Sequence, residues 1–402
     1  MNIELSHFAT RLRRLISVGD DVRSRHSICP AGFNHEPPHV GSDIKDFNAL
    51  ALELFALQFQ ANSAYRKICE SRRLTPPTVG QWTQIPAVPT AAFKELELTC
   101  LAPDERTAVF HSSGTTEQKP SRHFHNAESL AVYEASLVAG FFKNVPSDCR
   151  LPIADCRLVC LTPPPSQVPH SSLVHMFETV RQKLGAGKNA FVGRLAAADA
   201  WTFDAATVAE ALSSAGDAAS QPPLLLLGPA FSFVPLLDYL TEKRLRLQLP
   251  PGSRVMETGG YKNRSRSLPK AELHALITDR LGIPRENIVC EYGMCELSSQ
   301  AYDNVDRGFA LEALGDNAAR PKPTAPRLFR FPPWARGQII SPETGREVAA
   351  GETGLIRMMD LANVFSVAAI QTEDLGVRRG GGFELLGRAQ LAEPRGCSRM
   401  AQ

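Results

Sequence analysis

Between Arg157 and Met294 the sequence alternates short apolar runs with longer segments whose apolar residues recur at helical spacing. The short runs have the length and composition of buried strands, and they are Leu158–Leu161, Leu224–Leu227, Val255–Met256 and Ile288–Cys290. The segments between them predict helices over Ser172–Leu184, Ala205–Ser213, Phe231–Lys243 and Leu268–Leu281. Strands that alternate with helices in this way are typical of an α/β fold, in which helices cover a mostly parallel sheet.

The parts on either side of this alternating region have a different character. Residues up to Thr99 predict helices and loops, and the apolar spacing of Phe47–Arg73 predicts one amphipathic helix. From about Arg327 onward, turn signals separate short apolar runs, which predicts a small β-rich subdomain. We therefore expect an α/β core over residues 1–326, a β-rich subdomain over 327–388 and a short C-terminal tail over 389–402.

Composition narrows the class of protein. The chain has 402 residues, of which 43 % are apolar and 21 % charged, and its formal net charge is +2. This is the composition of a globular protein, and so small a net charge gives no reason to expect nucleic-acid binding. The sequence contains neither a signal peptide nor an apolar run long enough to cross a bilayer, and its nine scattered cysteines suit reduced thiols. We expect a cytoplasmic protein without a membrane span.

A loop rich in hydroxyl groups follows residue 111. It contains Ser112, Ser113, Gly114, Thr115 and Thr116, and Lys119 comes shortly after. Backbone N–H groups and hydroxyls in such a loop can surround phosphate oxygens, while a lysine supplies positive charge. Taken alone, a cluster of this kind is more often an ordinary polar surface loop.

The same loop resembles the serine/threonine/glycine-rich loop of the adenylate-forming superfamily, which includes acyl-CoA ligases, nonribosomal adenylation domains and luciferases. In those enzymes the loop holds the pyrophosphate part of ATP. The resemblance therefore implies that Ser112 to Thr116 and Lys119 bind the phosphates. Glu117 departs from the pattern, because relatives usually have glycine at this position.

A second segment, Cys290–Glu296, follows a predicted strand and resembles the superfamily's Tyr-Gly-x-Thr-Glu motif. The resemblance implies that Tyr292 packs on adenine and that Glu296 helps to hold Mg²⁺. Cys295 stands in place of the threonine, so a thiol replaces the hydroxyl near the α-phosphate. The alternative for this segment is a strand end with a buried tyrosine.

Three further sites complete the resemblance. Gly259, Gly260 and Tyr261 end a predicted strand, where paired glycines allow a ligand to approach the backbone, and they match the adenine pocket. A tight turn between strand and helix is the alternative. Asp374 matches the aspartate that binds the ribose hydroxyls, and Arg388 matches the hinge arginine that contacts the nucleotide.

Within the superfamily, the chain resembles the acyl-protein synthetase (LuxE) family. The Tyr-Gly-Met and Gly-Gly-Tyr-Lys segments, the stretch Pro86–Leu96 and the tail Glu393–Ser398 carry this resemblance. The chain also ends fourteen residues after Arg388, where most relatives continue into a mobile lid, so we expect no lid domain. The resemblance implies ATP- and Mg²⁺-dependent activation of a fatty acid to acyl-AMP, followed by transfer to a thiol of a protein such as a reductase or a carrier protein.

Two other functions remain open at this point. The protein could be an acyl- or aryl-CoA ligase without a lid, or a silent module that binds an acyl-nucleotide. If the lid lysine is absent, Lys262 is the first candidate for the cation that meets the α-phosphate, and Lys119 is the second, although a solvated surface lysine is the simpler interpretation of Lys262. Cys397, between Arg395 and Arg399, is the candidate acyl acceptor, although an incidental cysteine in a frayed tail is the simpler interpretation.

Overall fold

The computed structural model describes residues 2–24, 44, 46–112, 119–145, 156–187, 190–197, 200–213, 221–261, 265–305 and 327–389. Its helices are α1 (Ile3–Ser24), α2 (Phe47–Ala61), α3 (Ser63–Ser71), α4 (Ala92–Glu95), α5 (Ala127–Asn144), α6 (Ser172–Lys183), α7 (Ala205–Leu212), α8 (Ala230–Glu242) and α9 (Lys270–Leu281). Its strands are β1 (Val88–Pro89), β2 (Ala108–His111), β3 (Arg122–His125), β4 (Arg157–Cys160), β5 (Arg194–Leu195), β6 (Trp201–Thr202), β7 (Leu224–Pro229), β8 (Arg254–Thr258), β9 (Ile288–Tyr292), β10 (Ala301–Val305), β11 (Arg327–Arg330), β12 (Ala335–Ile340), β13 (Thr353–Asp360), β14 (Ala369–Arg379) and β15 (Gly382–Arg388).

One mixed sheet of eleven strands organises the described chain. Its order is β12-β13-β14-β15-β11-β10-β9-β8-β7-β4, and β1 pairs with β14. Strands β4, β7, β8 and β9 run parallel to one another, which confirms the α/β prediction with all four predicted strands. From β9 through β10 and β11 to β15 the pairing is antiparallel, so the predicted β-rich part continues the same sheet. The predicted division into domains at residue 326 stays a prediction.

The parallel strands are buried on both faces, as their apolar sequence requires. Every residue of β7, β8 and β9 is buried. Because side chains alternate along a strand, Leu226 and Val255 face the helices α7, α8 and α9. Leu225 and Met256 face the opposite side, where α5 and α6 pack. The C-terminal ends of these strands are therefore held between two helical layers.

The prediction of a single helix over Phe47–Arg73 is wrong, because Asn62 separates α2 from α3. Its backbone leaves the helical region, with φ −104° and ψ 98°. The N–H of Asn62 donates to Gln58 O and so ends α2, while its side chain accepts from the Tyr65 N–H and so begins α3. A single asparagine thus acts as the C-cap of one helix and the N-cap of the next.

A further apolar cluster joins the N-terminal helices to the antiparallel end of the sheet. It includes residues of α1, α2 and α3 together with buried residues of β12, β13 and β14. None of the described helices combines the length and the continuous apolar surface that a bilayer span requires.

Candidate active site

The predicted phosphate loop connects β2 to β3, which form an antiparallel hairpin. Residues 113–118 lie outside the described residues, so Ser113, Gly114, Thr115 and Thr116 remain predicted phosphate ligands. The base of the loop is described. Ser112 accepts a hydrogen bond from the Ser121 N–H at its Oγ (2.9 Å), and its own N–H donates to Ser121 O (3.2 Å). The hairpin therefore fixes both ends of the loop.

Lys119 lies just beyond the loop on the protein surface. Its Nζ is 3.4 Å from Glu95 Oε2, and both side chains are more than half exposed. An exposed ion pair of this kind contributes little to stability. The fold therefore does not depend on this ion pair, and the exposed ammonium group of Lys119 is accessible to an anion.

Two buried histidines of β3 join this hairpin to the segment after β9. His123 Nδ1 lies 2.8 Å from Cys295 O, and the rings of His123 and His125 are 4.2 Å apart. Burial lowers the pKa of His123 to about 4, so the neutral ring donates its Nδ1–H to the carbonyl at neutral pH. Burial also lowers the pKa of His125 well below its usual range. Neither histidine belongs to a motif that the sequence predicted, although their alternation in Arg-His-Phe-His places them on one face of the strand.

Tyr292, Asp374 and Arg388, which were predicted to contact the nucleotide, lie together at the end of β9. Tyr292 Oη donates to Asp374 Oδ2 at 2.8 Å. Strand pairing sets Asp374 opposite Arg388, whose Nε is 3.8 Å from Asp374 Oδ1. Arg388 is exposed, whereas burial raises the pKa of Asp374. An aromatic ring, a carboxylate and a cation thus lie next to one another at the end of β9.

The Tyr292 ring is held by three phenylalanines in edge-to-face contacts. Its centroid lies 6.0 Å from that of Phe329, 6.2 Å from Phe331 and 5.7 Å from Phe383. Such aromatic pairs favour defined geometries in addition to burying apolar area. The position of the ring is therefore fixed by the antiparallel strands as much as by β9.

Glu296, the predicted metal ligand, lies in the turn after β9 and is buried. Its Oε2 is 3.2 Å from Cys295 Sγ, and its backbone carbonyl accepts from Asn363 Nδ2 at 2.8 Å. Among the described residues, no group of three or more His, Cys, Asp or Glu side chains could hold a metal ion. A single carboxylate still suits Mg²⁺, which proteins often bind through one or two carboxylates and the phosphates of a substrate.

The glycine pair follows β8 directly. Gly259 has φ +68°, and an added Cβ at Gly259 or Gly260 would meet no atom within 4 Å. The open space beside both glycines is compatible with close approach of a ligand, and the positive φ explains the first glycine. Tyr261 follows and is partly buried against the cluster of α8 and α9. Lys262 lies outside the described residues, as does Cys397.

The remaining histidines near the hairpin have protein partners. His175 Nε2 is 3.0 Å from Glu134 Oε1, and His170 Nδ1 is 3.2 Å from Val109 O. These contacts attach α6 and the loop before it to α5 and β2.

The family model for acyl-protein synthetase, LuxE, matches residues 33–402. The chain belongs to the LuxE family. A curated relative, the Long-chain-fatty-acid--luciferin-component ligase of Aliivibrio fischeri, is 26 % identical over 160 residues. That alignment covers 39 % of this chain and spans 37 % of the length of the relative.

Solved structures of 2-hydroxyisobutyryl-CoA ligase share the fold of this LuxE-family chain. An open conformation in complex with 2-HIB-AMP and CoA aligns with a TM-score of 0.59 and 13 % identity, over 90 % of this chain and 80 % of that one. The postadenylation state in complex with 2-HIB-AMP aligns with a TM-score of 0.59 and 14 % identity, over 90 % and 72 %. The expected fold of adenylate-forming ligases is thereby confirmed.

Proposed function

We propose that this LuxE-family protein uses ATP to activate a carboxylic acid as acyl-AMP and then passes the acyl group to a protein thiol. Membership of the family supports the adenylation step. The observation that carries the proposal is the hydrogen bond from Tyr292 to Asp374 at the end of β9, just before the turn that contains Glu296. The name of the Aliivibrio fischeri relative favours a long-chain fatty acid as the substrate.

The first step joins the acid to the nucleotide. A carboxylate oxygen of the acid attacks the α-phosphate, the new O–P bond forms, and pyrophosphate leaves. Tyr292 would pack on adenine, Asp374 would accept hydrogen bonds from the ribose hydroxyls, and the loop of residues 112–116 would hold the departing phosphates. Mg²⁺, held in part by Glu296, would neutralise charge on the phosphates. Lys262 or Lys119 would supply a second positive charge.

The second step transfers the acyl group. A thiolate attacks the carbonyl carbon of acyl-AMP, the C–S bond forms, and the C–O bond to AMP breaks. Cys397 is the proposed acceptor, because Arg395 and Arg399 would favour its thiolate form. From there the acyl group would pass to a partner protein that also offers a thiol.

The test of the first step is ATP–pyrophosphate exchange with a panel of fatty, hydroxy and aromatic acids. Exchange that depends on the acid is expected with the wild-type protein. Its absence with every acid would refute adenylation and favour a silent binding module.

The test of the second step uses a labelled acid that supports exchange. The wild-type protein is expected to retain label that hydroxylamine releases, and Cys397→Ala should lose this label while exchange continues. Cys156→Ala, which removes another cysteine, is the matched control and should label like the wild type. Release of acyl-CoA in the presence of CoA, without label on the protein, would instead identify a CoA ligase such as the solved neighbours.

A further inference from the structure

The carboxylate of Asp360 is completely buried at the C-terminal end of β13. Its Oδ2 accepts hydrogen bonds from the Ser298 N–H (3.0 Å) and the Ser299 N–H (2.8 Å). Its Oδ1 accepts from Ser299 Oγ (2.7 Å) and the Ala362 N–H (3.0 Å). Four hydrogen bonds therefore converge on one buried anion, and three of them come from residues two and three positions after Glu296.

The backbone of Glu296 itself has a partner from the same segment. Asn363, three residues after Asp360, donates from Nδ2 to Glu296 O (2.8 Å) and to Val367 O (3.1 Å). Residues 361–368 are all buried, so this connection between β13 and β14 is part of the core and not a surface loop. The turn that carries Glu296 is thus bound to a buried support.

Helix α2 anchors this support from the other side. Gln58 donates from Nε2 to Asn363 O (2.7 Å) and Val364 O (3.1 Å), and its Oε1 accepts from the Ala368 N–H (3.0 Å). A buried amide with three such bonds leaves the segment little freedom to shift.

The orientation of the Glu296 side chain depends on this fixed backbone, because its own side-chain contact is weak. Its carboxylate contacts Cys295 Sγ at 3.2 Å, and a thiol is a weak donor. The direction of the carboxylate is therefore set mainly by the backbone of its turn. Asn363 binds the carbonyl of Glu296 itself, and the charged carboxylate of Asp360 binds the Ser298 and Ser299 N–H groups that follow in the same turn.

We propose that Asp360 and Asn363 are positioning residues, which hold the turn Glu296–Ser299 so that the Glu296 carboxylate faces the metal bound to the phosphates. This inference rests on the proposed adenylation function. Neither residue touches substrate in the proposed arrangement. Their effect on metal binding passes through the backbone of the turn, as with the outer partners of other metal ligands.

The test compares Asp360→Asn with the wild-type protein. The amide keeps the size of the carboxylate, but its NH₂ group faces N–H donors and the charge is lost. Because outer partners affect metal affinity about 10- to 100-fold, the Mg²⁺ concentration for half-maximal exchange should rise about tenfold. Saturating Mg²⁺ should restore exchange, and the KM for the acid should stay the same.

A binding measurement separates metal affinity from activity. With the unreactive nucleotide α,β-methylene-ATP, Mn²⁺ binding can be followed by electron paramagnetic resonance. The dissociation constant for Mn²⁺ should rise about tenfold in Asp360→Asn. Asp303→Asn is the matched control, since Asp303 is equally buried and pairs with Arg327 on β10 and β11. The control should lose stability without a change in Mn²⁺ affinity.

Asn363→Ala keeps the proposal testable if Asp360→Asn does not fold. It removes the bond to Glu296 O and should raise the Mg²⁺ requirement several-fold. Unchanged Mg²⁺ and Mn²⁺ affinities in a folded variant would show a purely structural role and overturn the inference. No exchange by the wild-type protein would instead overturn the adenylation function, and this inference with it.

Discussion

Acidification should unfold this protein partly through His123. The ring is completely buried between the hairpin and the turn after β9, and burial lowers its pKa from 6.5 to about 4. In the unfolded chain the ring takes up a proton near pH 6.5, while in the folded protein it stays neutral until about pH 4. Between these values the unfolded state binds more protons, so the free energy of unfolding falls as the pH falls.

The size of this effect follows from the pKa shift. One pKa unit corresponds to about 1.36 kcal/mol, so the full shift is worth about 3 kcal/mol. About 2 kcal/mol of this is lost between pH 7 and pH 5, because most of the unfolded chain's His123 becomes protonated in that interval. This is a large share of a typical total stability of about 5–15 kcal/mol.

The measurement is urea unfolding at pH 7 and pH 5 for the wild type and for His123→Asn. Asparagine can still donate a hydrogen bond toward Cys295 O, but it does not titrate. The variant should be less stable than the wild type at pH 7, because the asparagine side chain is smaller than histidine. Its free energy of unfolding should nevertheless fall by about 2 kcal/mol less than that of the wild type from pH 7 to pH 5. Equal losses in the wild type and His123→Asn would refute the reasoning.

Three other changes test the nucleotide site. Tyr292→Phe removes the hydrogen bond to Asp374 and should lower the free energy of unfolding by about 1 kcal/mol, measured by urea unfolding. That bond lowers the pKa of Asp374, so its loss should raise this pKa further. As the pH falls, Asp374 should therefore become protonated at a higher pH in the variant, and MgATP binding, measured by calorimetry, should weaken at that higher pH. Asp374→Asn should raise the KM for ATP about tenfold, the effect of losing about 1.4 kcal/mol of binding energy. Because burial raises the pKa of Asp374, its ionised carboxylate is less stable in the folded than in the unfolded chain, which costs folding free energy at pH values above the folded-state pKa. The Asn variant should therefore be at least as stable as the wild type at pH 7. Ser112→Ala should reduce pyrophosphate exchange about tenfold without unfolding the protein, because the base of the loop loses its bond to the Ser121 N–H; full exchange would remove this contact from the mechanism.

The sequence was most informative where local pattern and burial coincide. The strands β4, β7, β8 and β9 are short apolar runs buried on both faces, and this pattern alone predicted the parallel part of the sheet. The helix prediction over Phe47–Arg73 failed because apolar spacing continues through Asn62. The capping contacts of Asn62, which end one helix and begin another, have only a local and weak signal.

Some residues of the candidate site could be predicted from the sequence and others could not. Tyr292, Asp374 and Glu296 occur in recognisable motifs, so the resemblance to a known family was sufficient to select them. Asp360 and Asn363 have no such motif, since their partners in the turn that carries Glu296 are 60 or more residues away along the chain. Contacts of that kind depend on which strands become neighbours, and a single sequence does not specify this.

The bond between Gln58 and Asn363 also bears on how the protein is made. The two residues are 305 positions apart. At a synthesis rate of about 5–20 residues per second, α2 would wait roughly 15–60 s on the ribosome for its partner. During that time Phe47, Leu54 and Phe55, which are buried in the finished protein, would face solvent or a chaperone. The support beneath Glu296 would therefore be assembled late, and a chain released before residue 363 would present an apolar helix open to aggregation.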